Sequence, residues 1–474
     1  MKQFFKALGK YFADFGTAVS KGDIWVKLSL IIMGMGYIGR GQIIKGILVT
    51  LLEAGFALFT ANITWPYITK LNTLGTVQRE EVFDPLTMTK TVNEYDNSLL
   101  ILLFGVVGIA VILAFILIYI ANIKAVYKTQ QLKKNGKHIN NFAEDLRDLI
   151  NDKFHITLLT LPSIGVIFMC IMPIIFMVCI AFTNYDAAHQ PPSVLFTWVG
   201  WKNFITLFSN RQGSTFAYAF GKVLVWTLIW AALATVTTYI GGILLAMLIN
   251  HQDTKLKKMW RSLFVVTIAI PQFVTLLLIS KMFGNYGIVN GILTRMGVIS
   301  KLLEWGWINT SYVPFMTQSG LTHVMIILIN IWVGIPYQML IATGILMNIP
   351  SDQLESARID GANKFQIFWK ITMPYMLFIT GPSLITSFIG NINNFNVIYL
   401  LTGDYVTTDA SLAAANAKDV DLLITWLFKI TSESQLKQYY MASVIGIVVF
   451  IICATLTLVT YSRMIKGDKE EVFQ

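Results

Sequence analysis

Eight long apolar runs constrain this chain more than any other feature. They cover roughly residues 43–63, 98–122, 156–183, 223–249, 262–282, 321–346, 375–400 and 441–461. A helix needs about 20 mostly apolar residues to cross a bilayer. Backbone inside lipid must satisfy its own hydrogen bonds, so runs of this length are read as helices. Composition agrees: of 474 residues, 55% are hydrophobic and 13% charged, against about one quarter charged in a soluble domain. The chain therefore reads as an all-α polytopic membrane protein with about eight transmembrane helices.

Charge orients the spans. With residues 1–42 inside, the inner segments 1–42, 123–155, 250–261, 347–374 and 462–474 carry 23 Lys and Arg, and the outer segments 64–97, 184–222, 283–320 and 401–440 carry 11. Inner loops are enriched in cations for topological reasons, so both termini are expected in the cytoplasm. The same argument disposes of nucleic acid as a partner. The net charge of +10 is spread over loops between apolar spans.

The organisation reads as four parts. Residues 1–42 form a cytoplasmic amphipathic segment, retained because no signal-peptide pattern follows its basic start. Residues 43–155 hold two spans and a polar linker, residues 156–461 hold six spans, and 462–474 form a cytoplasmic tail. The polar stretch Thr407–Ile430 is expected to form short helices on the outer face.

Cys170, Cys179 and Cys453 lie in apolar runs and read as buried packing residues. The five His residues are scattered without ligand spacing, so no metal, cofactor or catalytic residue is expected. No GxxxxGK[ST] phosphate loop occurs, so ATP hydrolysis would belong to another polypeptide.

Residues 351–374 are unusual for a loop. Glu355, Ser356 and Ala357 favour helix, with Ser351 or Asp352 available as an N-cap. Asp360-Gly361 then interrupts, since glycine adopts a bend that other residues resist. Ala362 to Ile371 resumes a helical pattern, and Pro374 opens the next span. A helix–turn–helix along the inner membrane face is expected.

Polar groups inside spans suggest a cargo. Glu53 is the clearest intramembrane charge. It reads as a structural group that bonds a neighbouring helix or meets a basic partner, with gating or proton coupling as the alternative. In the seventh run, Ser387, Asn391 and Asn394 recur at i, i+4 and i+7, on one helix face. Amides and hydroxyls suit a neutral polyhydroxylated solute, and Trp226, Trp230, Trp332 and Tyr337 could offer aromatic faces. Interhelical hydrogen bonding is the competing reading of the same Asn residues.

The spacing in 351–374 closely resembles the EAA motif of ABC importer permeases. Glu355, Ser356, Ala357, Gly361, Ile371, Met373 and Pro374 occupy the motif's places, with Ser356 for an Ala and Met373 for a Leu. Residues 156–461 are similar to the maltose/maltodextrin-type permeases, on stretches such as WVGIPYQMLIATGILMNIP and NNFNVIYLLTGD, and GYIGRGQIIKG near the start matches too.

The resemblance implies an ABC importer type I permease fold in the cell membrane. It implies ATPase coupling through Glu355, Ser356, Ala357, Asp360, Gly361 and Ala362, and a sugar pocket at Gly334, Tyr337, Ser387, Asn391 and Asn394. Ala231 stands where the family has a pocket Ser. Implied partners are a second homologous permease subunit, two ATPase subunits, an extracytoplasmic sugar-binding protein and an oligosaccharide of the maltodextrin kind. The short second outer loop implies a lipid-anchored binding protein. A secondary transporter of a neutral solute is the alternative; it would show half-sequence repeats and intramembrane charges.

Overall fold

The computed structural model describes residues 2–84, 89–209 and 215–466. Of the tail expected at 462–474, residues 467–474 lie outside the described residues. Among the described residues, seven helices are long and apolar enough to cross a membrane: Ile43–Thr69, Ser98–Lys134, Phe154–Ile180, Thr215–Asn250, Ser319–Leu346, Lys364–Leu401 and Tyr439–Ser462. The fifth expected span is a pair, Lys257–Ala269 and Gln272–Met282, bent by 91°. Pro271 is the cause. It has no N–H to continue the ladder and pushes the residue before it out of the helical region; Ile270 has φ −76 and ψ 125.

Three prolines inside the straight spans are handled differently. The wide π turns Thr60–Thr64, Ile167–Ile171 and Phe368–Thr372 each end two residues before a proline, namely Pro66, Pro173 and Pro374. A proline ring clashes with the carbonyl four residues earlier. That carbonyl lies within the π turn each time, where i→i+5 spacing makes room. Pro374 thus sits inside a continuous helix, where the sequence reading had it open the span.

Contacts divide the chain into two units, Met1–Gly200 and Trp201–Gln474. The third span, grouped with the six-helix part from sequence, makes its contacts in the first unit with the second span. The first unit also holds the N-terminal helix Lys2–Lys21 and one antiparallel hairpin, Glu81–Asp84 with Thr89–Val92.

Segment 23–42 is folded against the first two spans by polar bonds. Arg40, its side chain 2% exposed, grips both oxygens of Asp23 at 2.8 and 2.9 Å and donates to the Gly36 carbonyl at 2.8 Å. Asn122 donates to the Met33 carbonyl at 3.0 Å, and Glu53 accepts the Met33 N–H at 2.8 Å. The partner of Glu53 is therefore a backbone amide of the preceding turn. Gly36 is needed there because a Cβ would stand 2.3 Å from Val126 and 2.4 Å from the Ser29 hydroxyl.

Asp96 ties the end of the first span to the start of the second. It accepts from Lys70 at 2.7 Å and from the Thr76 and Val77 amides at 2.9 and 3.2 Å. Burial opposes its charge, but these donors outweigh it and hold the carboxyl below its ordinary value. A depressed carboxyl stabilises the fold above its unfolded pKa, and the contribution is lost as pH falls through the folded value. Amide exchange at Thr76 and Val77 should therefore accelerate several-fold in acid beyond the intrinsic effect of pH, and Asp96→Asn should accelerate it at neutral pH. Unaltered protection in both cases would remove Asp96 from this role.

In the second unit, the fourth and sixth spans pack along their length. One apolar cluster joins Trp230, Leu276, Ile326, Val397 and Leu422, and another joins Tyr239, Ile243, Met339, Phe368 and Met376. Segment 407–430 does form short helices, Ala410–Ala414 and Leu423–Phe428. They are not surface decoration, because Val420, Leu422, Leu423 and Trp426 are buried. Against the expectation of burial, Cys170 is exposed on this chain and Cys179 and Cys453 are only partly covered.

Candidate functional site

Three groups of residues carry the candidate chemistry. The first is 351–374. A helix spans Ser351–Ile359, with Pro350 rather than Ser351 or Asp352 at its N-cap. Its end is a Schellman turn. The Gly361 N–H reaches the Arg358 carbonyl at 3.1 Å and the Ala362 N–H reaches that of Ala357 at 2.9 Å, which satisfies carbonyls a helix end would orphan. This closure needs a left-handed residue, and Gly361 has φ +80. A Cβ there would meet nothing within 4 Å, so the requirement is conformational.

The second helix begins at Lys364, two residues later than the sequence suggested. Asn363 caps it in a reciprocal box with Gln366, at 2.8 and 2.9 Å. Asn363 fits that place because its side chain can accept from the third amide of the helix. The second helix continues without interruption into the seventh span.

Glu355, Ser356, Asp360 and Gly361 are exposed, while Ala357 and Ala362 are partly covered. Apolar side chains are exposed beside them: Ile359 at 86%, Phe365 at 71% and Trp369 at 47%. Single exposed hydrophobics are ordinary, but a contiguous patch marks an interaction surface.

The second group surrounds Asn391. The seventh span is not one smooth helix here. It ends at Ile392, and Asn394 is the N-cap of a second piece, Phe395–Leu401, accepting from the Val397 amide at 3.3 Å. The one-face stripe expected from i, i+4 and i+7 spacing is therefore broken at Asn393, because Asn side chains compete for backbone groups. Asn394 is nevertheless carried back to Asn391, donating to its Oδ1 at 3.4 Å.

Asn391 is held by the fourth span. Its Nδ2 donates to Thr235 Oγ1 at 3.0 Å, and Trp230 Nε1 donates to its carbonyl at 3.0 Å. Thr235 was missed in the sequence, where the only signal was the polar run Thr235, Thr237, Thr238 inside an apolar span. Trp230 is fully buried and packed in the core, so it is not free to stack on a solute. Ser387, one turn before Asn391, is partly exposed.

The third group lines a cavity of about 720 Å³ at the bend of the fifth span. Trp332 and Tyr337 of the sixth span face Thr267, Gln272 and Thr275 across it. Ser387, Asn391 and Asn394 are not among its lining residues. Gly334 lies one turn before Tyr337 and faces the fourth span. A Cβ there would stand 2.8 Å from Thr238, so its small size lets the two helices approach. The position expected to hold a pocket Ser, Ala231, is fully buried.

Comparison with known proteins bears on these groups. Residues 238–465 match the family model described as "Binding-protein-dependent transport system inner membrane component". The chain is 32% identical over 444 residues to the maltodextrin transport system permease protein MalC of Streptococcus pneumoniae, covering 93% of this chain and 96% of that one. It is 31% identical over 446 residues to the galactooligosaccharides transport system permease protein GanP of Bacillus subtilis, covering 93% and 97%. In fold it is similar to a bacterial ABC transporter involved in the import of the acidic polysaccharide alginate. That structure superposes with a TM-score of 0.51 at 21% identity, covering 68% of this chain and 99% of the matched one.

Proposed function

This chain belongs to the binding-protein-dependent transport system inner membrane components, as a permease subunit of the maltodextrin-permease family, and on that premise we propose how it works and what it carries. It imports a neutral oligosaccharide, with maltodextrin the first candidate, and other polypeptides hydrolyse the ATP. Residues 351–374 are the face on which an ATPase subunit pushes. The observation that carries this is the Schellman-closed helix pair. It presents Ile359, Phe365 and Trp369 to the outside and runs unbroken into the span that bears Asn391.

Recognition is of the helix-in-groove kind, with apolar anchors seated in a cleft of the partner. Glu355, Ser356, Ala357, Asp360, Gly361 and Ala362 form the contact and its turn. Rotation of the second helix by the closing ATPase is delivered along the seventh span. Both termini lie in the cytoplasm, and residues 156–461 act as the permease core. The second permease subunit, two ATPases and an extracytoplasmic sugar-binding protein complete the assembly. A secondary transporter draws no support from the relatives.

Asn391, Asn394 and Ser387 offer amide and hydroxyl groups to sugar hydroxyls, Tyr337 offers a ring face, and Gly334 sets the spacing of the walls. Asn391→Ala and Asn394→Ala should each raise the half-saturating sugar concentration about three- to tenfold, the worth of one neutral hydrogen bond, with the complex still assembled. Unchanged uptake kinetics in both would take these residues out of the pocket.

A further inference from the structure

The linker between the second and third spans contains a nine-residue helix, Phe142–Ile150. Asn141 caps it in a reciprocal box with Glu144, at 2.9 and 2.8 Å. At 3.6 residues per turn, Phe142, Ala143, Leu146, Leu149 and Ile150 fall within an arc of about 120°. Glu144, Asp145, Arg147 and Asp148 occupy the rest of the circumference.

The two faces are turned the wrong way for water. Glu144, Asp145 and Asp148 are partly covered by the protein, while every residue of the apolar arc is exposed, Leu146 at 51% and Ile150 at 62%. A surface helix of a soluble domain does the reverse, burying its apolar stripe and leaving its charges outside.

Polar bonds hold the acidic side against the base of the first span. Asp145 pairs with Lys45 at 2.6 Å. Asn140 donates to the Asp148 carboxylate at 2.9 Å, and Gln42 donates to the Asn140 carbonyl at 2.5 Å. Gln42 is the N-cap of the first span and Lys45 lies in its first turn. The linker helix is thereby fixed at the level where that span enters the bilayer.

Its far end is fixed at the same level. Three residues, 151–153, separate it from the third span, and the Thr157 hydroxyl of that span donates to the Leu149 carbonyl at 2.7 Å. Phe154, Leu158 and Leu161, on the first turns of the third span, are exposed as well. On a spanning helix such side chains meet lipid, so the apolar arc of the linker helix adjoins a lipid-facing surface. A soluble partner would have to reach this arc through the leaflet that both spans enter.

We propose that Phe142–Ile150 lies in the plane of the membrane, with Leu146 and Ile150 sunk into the adjoining leaflet and its acidic side clamped to the first span. The partner is the lipid bilayer itself. Interfacial helices of this kind bury their apolar face about 5–10 Å into the boundary between headgroups and acyl chains. The linker is then a membrane-seated brace between the first and third spans rather than a free polar loop. This holds whatever solute the chain carries.

The test is nitroxide accessibility in the assembled complex in phospholipid vesicles. Leu146→Cys, Ile150→Cys and Arg147→Cys are each made in a chain with Cys170, Cys179 and Cys453 replaced by alanine, and then spin-labelled. Labels at 146 and 150 should collide several-fold more with oxygen, which concentrates in lipid, than with a water-soluble nickel chelate. The label at 147, off the apolar arc, should show the opposite order. Preferential nickel access at 146 and 150 overturns the proposal. Protection of both from either reagent also overturns it, because a protein surface would then cover the arc. Should Leu146→Cys fail to assemble, Ile150→Cys, the more exposed of the two, decides alone.

Discussion

Replacing Gly361 by valine should cut sugar uptake tenfold or more while the permease still inserts and folds. The reasoning is local. At φ +80, a β-branched residue costs about 1–3 kcal/mol. The chain escapes that cost by opening the Schellman turn, which frees the Ala357 and Arg358 carbonyls and re-aims the helix beyond Asn363. Ile359 and Phe365 then no longer share one docking geometry. Because a Cβ meets nothing within 4 Å, clash inside this chain is not the mechanism. Asparagine tolerates the left-handed region better than other residues, so Gly361→Asn should retain much of the uptake, with alanine between the two. Equal activity of the valine and asparagine variants would show that the turn does not matter.

Asp421→Ala should be the most destabilising single change in the second unit. Asp421 is fully buried, and Lys429, 9% exposed, sits 2.6 Å from its Oδ1. Asp421 also accepts from the Thr425 hydroxyl at 3.0 Å and the Lys418 amide at 2.7 Å. Removing it leaves an ammonium buried without its counter-charge, which costs about 3–5 kcal/mol. The purified complex should show a lower thermal midpoint and a smaller folded yield. Asp421→Ala combined with Lys429→Met should recover part of the loss, since an apolar pair leaves no orphan charge. A double variant worse than the single one would refute the pairing argument.

The sequence made some of this legible and hid the rest for physical reasons. Span number depends on run length alone, so seven of the eight runs appear as spanning helices and the fifth as the bent pair. The turn at Gly361 was readable because a left-handed position is a property of one residue. The 91° bend was not, since Pro271 breaks a helix but packing of the first piece on the sixth span and of the second on Phe395–Leu401 decides where the pieces go. The broken Asn stripe failed for a related reason. Periodicity assumes a continuous helix, and Asn394 prefers to cap a new one. Segment 407–430 showed its short helices in the sequence, but its polar composition hid how deeply it packs. The pairing of Asp421 with Lys429 is tertiary, and it lets Trp426 and Leu422 enter the core.

The central claim is that movement of this chain is driven by an ATPase acting on residues 351–374. Sugar uptake into vesicles containing the assembled complex, with ATP on the side of that segment, tests it most directly. The account predicts uptake of maltodextrin that stops when ATP or the ATPase subunit is withheld and persists when ion gradients are collapsed. Uptake that proceeds without the ATPase and follows an ion gradient would contradict it.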